Sequence, residues 1–209
     1  MKLIQAVRNK DIIGYLRNDT SLWPLLGSNL LTIIIAVLEN WSLQTVMLVY
    51  WCQSVIIGII NFVRILNLKN FSTDGLKMNN RSVQPTEKSK RSVAFFFLFH
   101  YGFFHLIYFV FIGAFGALKS INMFFVMIPV AGFFINHWYS FVQNREKDSQ
   151  KRQNLGTVLF FPYARIVPMH LTIIFGSILA RGPFAVVALV FFLVLKTMAD
   201  VVMHAIEHA

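Results

Sequence analysis

Long apolar runs separated by short basic segments set the pattern of this chain. Charge-free stretches occupy residues 22–38, 42–63, 92–118 and 120–144. Two more, 153–180 and 182–206, are broken only by Arg165 and by Lys196 with Asp200. A helix needs about 20 apolar residues to cross the hydrocarbon core of a bilayer, and each stretch is near that length or longer. The pattern predicts an all-α, polytopic membrane helix bundle of about six transmembrane helices, forming a single membrane domain over residues 1–209. Residues 1–20 are too polar to cross. Leu3, Ile4 and Val7 cluster on one helical face and Ile12, Ile13 and Leu16 on another. This predicts an interfacial segment with a break near Asn9 to Asp11.

The basic residues orient the bundle. The N-terminal segment carries Lys2, Arg8, Lys10 and Arg17. Segment 64–91 carries Arg64, Lys69, Lys77, Arg81, Lys88, Lys90 and Arg91, and segment 143–156 carries Arg145, Lys147, Lys151 and Arg152. The alternate connections have only Lys119 and Arg181. Lys and Arg accumulate on the cytoplasmic side, so 64–91 and 143–156 are expected as cytoplasmic loops, with the N and C termini on the same side. Segment 64–91 is polar and rich in Asn and Ser, and the greatest mobility is expected there. The expected location is a prokaryotic cytoplasmic membrane.

Composition strengthens this picture. Of 209 residues, 56% are hydrophobic, 13% are charged and 22 are Phe. A soluble chain of this size cannot hide so much apolar surface, whereas lipid solvates it. The net charge of +10 does not call for a nucleic-acid partner. The charges lie between the apolar runs, where they set topology and attract anionic lipid head groups. The first twenty residues lack the compact apolar core of a cleavable signal peptide. The single cysteine, Cys52, excludes an intramolecular disulfide and reads as a small packed hydrophobe.

Candidate chemistry lies in the ionisable residues within the apolar runs, since each is costly in a bilayer. At 1.5 Å of rise per residue, His170 falls about 16 Å from the outer surface and His105 and Lys196 about 21–23 Å. His100, His137 and Asp200 fall at about 27–29 Å, and His204 at about 34 Å. The histidines thus occupy the middle and the inner half. Lys196, Asp200, His204 and His208 are spaced by four and form one polar stripe on the last helix. Three readings of the stripe compete. In the first, Asp200 and His204 are metal ligands, joined by His170, His100 or His105. Imidazole and carboxylate suit zinc above all, with copper or iron as alternatives. In the second, Lys196 and Asp200 form an ion pair and His204 is a helix-end residue. In the third, the stripe is a proton or solute path. Gln53 and Asn61 are candidates for hydrogen bonds between helices. Pro162 and Pro168 weaken the helix that carries His170.

The stretches Glu39-Asn40-Trp41-Ser42, Phe99-His100-Tyr101-Gly102-Phe103-Phe104-His105, Ile166-Val167-Pro168-Met169-His170 and Lys196 to His204 resemble a family of uncharacterised multi-pass prokaryotic membrane proteins. That resemblance implies no activity. At the level of the site, His204-Ala205-Ile206-Glu207-His208 resembles the late-helix element of intramembrane zinc hydrolases of the ceramidase and adiponectin-receptor type. Those proteins usually have seven spans, and His208 here is the second-last residue. Asp200 with His204 also resembles the copper-site segment of membrane methane and ammonia monooxygenases. The leading expectation is an intramembrane His/Asp metal site open to the cytoplasmic side, hydrolytic on a lipid or amide. A small proton-coupled transporter or channel is the alternative, and a structural or assembly protein without a site is the third.

Overall fold

The computed structural model describes residues 22–114, 122–164, 166–167, 170–171 and 185–207. Six helices lie among them: α1 (Leu22–Leu38), α2 (Leu43–Asn67), α3 (Glu87–Ala114), α4 (Met123–Gln150), α5 (Leu155–Phe160) and α6 (Ala185–Glu207). Three are long and apolar enough to cross a membrane, namely Leu43–Asn67, Glu87–Ala114 and the Met123–Gln143 part of α4. Trp23–Leu38 is apolar but shorter. Of the stretch 153–180, the described part is α5 and scattered residues up to 171. The segment 1–20, Lys119, Arg165, Pro168, Arg181 and His208 lie outside the described residues, as does the side chain of His204.

Local chemistry explains the helix ends. Helix α1 stops at Asn40, whose φ of 50° is left-handed. Asn tolerates that conformation, and the chain then closes with Trp41 N donating to Ala36 O. Ser42 caps α2 by accepting from Thr45 N at 3.2 Å. Asn154 caps α5 in the same way, accepting from Thr157 N at 3.0 Å.

Helix α2 is the hub. It packs along α3 on one side and α4 on the other, and it also meets α5 and α6, while α1 packs on α4 and α6. Val46, Val49, Ile65, Phe97, Phe133 and Phe192 are buried in the shared core. The outward faces of α3 and α4 carry Phe99, Phe103, Leu106 and Phe124, each more than half exposed. Such surfaces suit lipid rather than water.

Segments 64–91 and 143–156, expected as loops, contain regular secondary structure. Helix α2 continues to Asn67, α3 starts at Glu87, and α4 persists to Gln150. Between α2 and α3 the chain forms β1 (Phe71–Ser72), β2 (Lys77–Met78) and β3 (Arg81–Ser82), and β4 (Gln153–Asn154) follows α4. Strands β2 and β3 form an antiparallel hairpin, and β1 pairs in parallel with β4. Asn79 and Asn80, both at positive φ, make the two-residue hairpin turn. Leu68 and Leu76 are buried, and Lys90 Nζ donates to Leu68 O at 2.7 Å. Segment 64–91 and β4 form a small cap across the ends of α2, α3 and α4, held by its apolar anchors and the β1–β4 pairing.

Candidate functional site

The last helix delivers its charges to the bundle interior. Lys196 and Asp200, one turn apart on α6, are 6% and 2% exposed. Lys196 Nζ donates to Asp200 Oδ2 and to Asn29 Oδ1 at 2.9 Å. Asn29, on α1, donates from Nδ2 to Asp200 Oδ2 and to Leu25 O, both at 3.1 Å. The amide thus turns its oxygen to the ammonium and its nitrogen to the carboxylate, closing a triangle across two helices. Aromatic faces complete the ammonium's surroundings. The Tyr50 ring lies 4.0 Å and the Phe133 ring 4.9 Å from Nζ, within cation–π range. Protein therefore surrounds both charges, as desolvated ions require.

A small cavity of about 10 Å³ adjoins the pair, lined by Tyr50, Gln53, Ser54, Ile57, Phe192, Lys196 and Asp200. It has the room of roughly one water molecule. Tyr50 Oη beside it is buried and has no hydrogen-bond partner among the described residues. Gln53 Nε2 donates to His137 Nε2 on α4 at 3.2 Å. His137 in turn lines a chamber of about 50 Å³ with Asn61, Arg64, Ser140 and Asp148, and Ile57 borders both spaces. Arg64 and Asp148 close the rim with a bidentate pair, Nε to Oδ2 at 2.7 Å and Nη2 to Oδ1 at 2.9 Å. Gln53, Ile57, Asn61 and Arg64 follow one face of α2, which spans about 16 Å along the axis from Gln53 to Arg64.

The other histidines occupy separate places. His105 is buried, with Nδ1 2.8 Å from Tyr101 O and Nε2 2.9 Å from Ser54 Oγ. A carbonyl only accepts, so Nδ1 carries a proton, and in the neutral ring Nε2 accepts from Ser54. His100 pairs with Tyr163 Oη at 2.9 Å and stacks on Phe96. His170 pairs with Tyr108 Oη at 3.1 Å. Among the described residues no three or more His, Cys, Asp or Glu side chains are grouped to hold a metal ion. The structure brings Asp200 to Lys196 and Asn29, the partners foreseen in the ion-pair reading with one addition. It gives His100, His105 and His170 to Tyr and Ser partners. His204 lies on α6, and its side chain is outside the described residues.

Two expected contacts between helices are present. Gln53 reaches His137, and Asn61 Nδ2 donates to Val158 O at 3.1 Å. Three functional groups escaped the sequence reading: Asn29, the Tyr50 ring and the Arg64–Asp148 rim pair. Asn29 carried a usable signal. With Ser28 and Thr32 it forms a short polar stripe inside an otherwise apolar helix.

These features define a helical protein with candidate membrane spans and a charged interior. Residues 16–209 match a family of unknown function (DUF6498), and the chain belongs to that family. No curated protein and no solved structure matches it. The family match carries neither the likeness to zinc hydrolases nor the prokaryotic origin.

Proposed function

We propose that the chain is a six-span integral protein of a prokaryotic cytoplasmic membrane, with both ends cytoplasmic, and that it works as a small proton-coupled transporter or channel. The observation that carries this reading is the buried Lys196–Asp200 pair, beside a water-sized cavity that shares Ile57 with the chamber under the Arg64–Asp148 rim. Ionisable groups within a membrane mark ion paths and proton relays. Here Lys196 acts as an internal counter-ion. A proton or cation arriving at Asp200 competes with the ammonium for the same carboxylate, so occupancy and the position of Lys196 are coupled. Entry from the rim passes the chamber lined by His137, then Gln53 and the water-sized cavity. Helix α1 contributes Asn29, which holds the carboxylate while its partner changes.

The test is proton flux into proteoliposomes, read with a trapped pH dye under a potassium diffusion potential. Wild-type protein should carry protons above the protein-free rate, and Asp200→Asn should abolish the excess. Equal rates in the two proteins, or no excess in wild type, would sink the reading. Elemental analysis of the same preparation checks the competing metal site. Stoichiometric zinc, copper or iron that disappears in Asp200→Asn would put Asp200 and His204 back as ligands. Reporter fusions at Lys119 and Arg181 should read the outside, and a cytoplasmic signal at either would break the six-span topology.

A further inference from the structure

A third cavity lies on the opposite side of α2. It is an apolar groove of about 290 Å³ between α2 and α3. Trp51, Gly58 and Ile59 form one wall, and Leu98, Gly102 and Leu106 form the other. Two glycines shape it. A Cβ on Gly58 would lie 2.5 Å from Tyr101 Cε1, so the glycine lets the Tyr101 ring lie flat on α2 as the floor of the groove. A Cβ on Gly102 would meet nothing within 4 Å, so the opposite wall is open. Ile59 and Leu106 at its edges are 55% and 62% exposed, which turns the mouth toward lipid in a membrane-embedded chain.

Charge identifies the occupant. Lys88, Arg91, Phe95, Leu98, Gly102 and Leu106 follow one another at spacings of three and four and share one face of α3. Phe95 packs edge-on against Phe62 of α2 at 5.6 Å, at the inner end of the groove. Lys88 and Arg91 are exposed and stand about 15 Å and 10 Å beyond Leu98 along the axis, at the end of α3 that joins the cap. An apolar slot at membrane depth with two cations above it, on the same helical face, matches one amphiphile. We propose that the groove binds an anionic phospholipid, with one acyl chain against Gly102 and Tyr101 and the phosphate at Lys88 and Arg91. This inference does not depend on the transport reading.

Native mass spectrometry of the full chain in detergent tests it. Phosphatidylglycerol and phosphatidylcholine with identical acyl chains are titrated separately. Wild type should favour phosphatidylglycerol on the order of tenfold, as expected for two basic residues near one anionic group. Lys88→Gln with Arg91→Gln should bring the ratio close to one and leave the phosphatidylcholine adduct unchanged. Gly102→Phe should deplete both adducts, because the ring fills the groove. Leu98→Trp is a second filling variant should Gly102→Phe not fold, and the charge variant lies on an exposed surface. Soluble glycerol phosphate should displace nothing. Equal binding of the two lipids by wild type would overturn the proposal. So would a preference that survives the charge variant, adducts undiminished in a folded filling variant, or displacement by glycerol phosphate.

Discussion

Two ion pairs in this molecule share a chemistry and differ in what they accomplish. Arg64 and Asp148 come from different helices and tie α2 to α4 at the rim, with side chains 17% and 12% exposed. Gln153 Nε2 adds a further hydrogen bond to Asp148 Oδ1 at 3.1 Å, which brings the start of the cap into the same joint. Lys196 and Asp200 sit one turn apart on a single helix at 8% and 3%. Such a pair joins no two helices by itself. Asn29 of α1 bonds to both of its members, and the Tyr50 ring of α2 and the Phe133 ring of α4 lie against its ammonium. The rim pair has a structural task that matches its cost. The deep pair carries the larger desolvation cost.

The comparison breaks most visibly if one deep charge is removed. Lys196→Met leaves the Asp200 carboxylate buried with an amide as its remaining hydrogen-bond donor among those described. The expected loss is about 3–5 kcal/mol, read as a large fall in the unfolding midpoint in detergent. A loss no larger than that of a surface substitution would mean that water reaches Asp200, and the contrast with the rim would vanish.

A smaller effect is expected at the α2–α3 contact. Gly58→Ala places a methyl group 2.5 Å from the Tyr101 ring, and Tyr101 Oη is held by Ser54 Oγ at 2.8 Å. The ring cannot retreat without releasing Ser54, so the overpacking should cost about 1–3 kcal/mol. An unchanged midpoint would show that the helices separate freely there. At the rim, Arg64→Ala should cost about 1–2 kcal/mol, and the difference from wild type should shrink at high salt because partly exposed charges are screened. Unfolding midpoints at low and high ionic strength measure this. A salt-independent loss would place the rim pair in the same class as the deep one.

The sequence carried the helices and lost the partners, for physical reasons. Apolar length marks a helix whether or not its neighbours are known, so α2, α3 and α4 were legible from their runs. The four-residue spacing of Lys196 and Asp200 is a property of one helix and was equally legible. Asn29 lies more than 160 residues away, and no periodicity links it to α6. His105 illustrates the same limit. Its place in an apolar run was readable, but its bond to Ser54 depends on how α3 rotates against α2. That rotation is set by the Gly58–Tyr101 contact, which a single glycine in an apolar run does not announce. In the cap, the Asn79-Asn80 turn is a local signal for a hairpin, whereas β1 with β4 pairs segments on either side of two long helices. The polarity of segment 64–91 is visible in the sequence, whereas its buried apolar anchors, Leu68 and Leu76, are only two residues.

The smallest expected effect is the sharpest test of the contrast between the two pairs. If the deep pair is present for function, then apolar residues of similar volume should satisfy the fold. Replacing only Lys196 and Asp200 is not a clean experiment. Asn29 would keep Leu25 O as acceptor for Nδ2 but would lose the ammonium at Oδ1, and a buried unsatisfied acceptor costs about 1–3 kcal/mol. The triple variant Asn29→Leu, Lys196→Met, Asp200→Leu removes all three polar groups together. Its stability should fall within about 1 kcal/mol of wild type or exceed it, since buried ion pairs replaced by packed apolar groups are often neutral or stabilising. Proton flux should nevertheless be absent. Unfolding midpoints and flux measured on one preparation decide the matter. A triple variant as unstable as Lys196→Met would show that the triangle holds α1 against α6, and the deep pair would then be a structural device like the one at the rim.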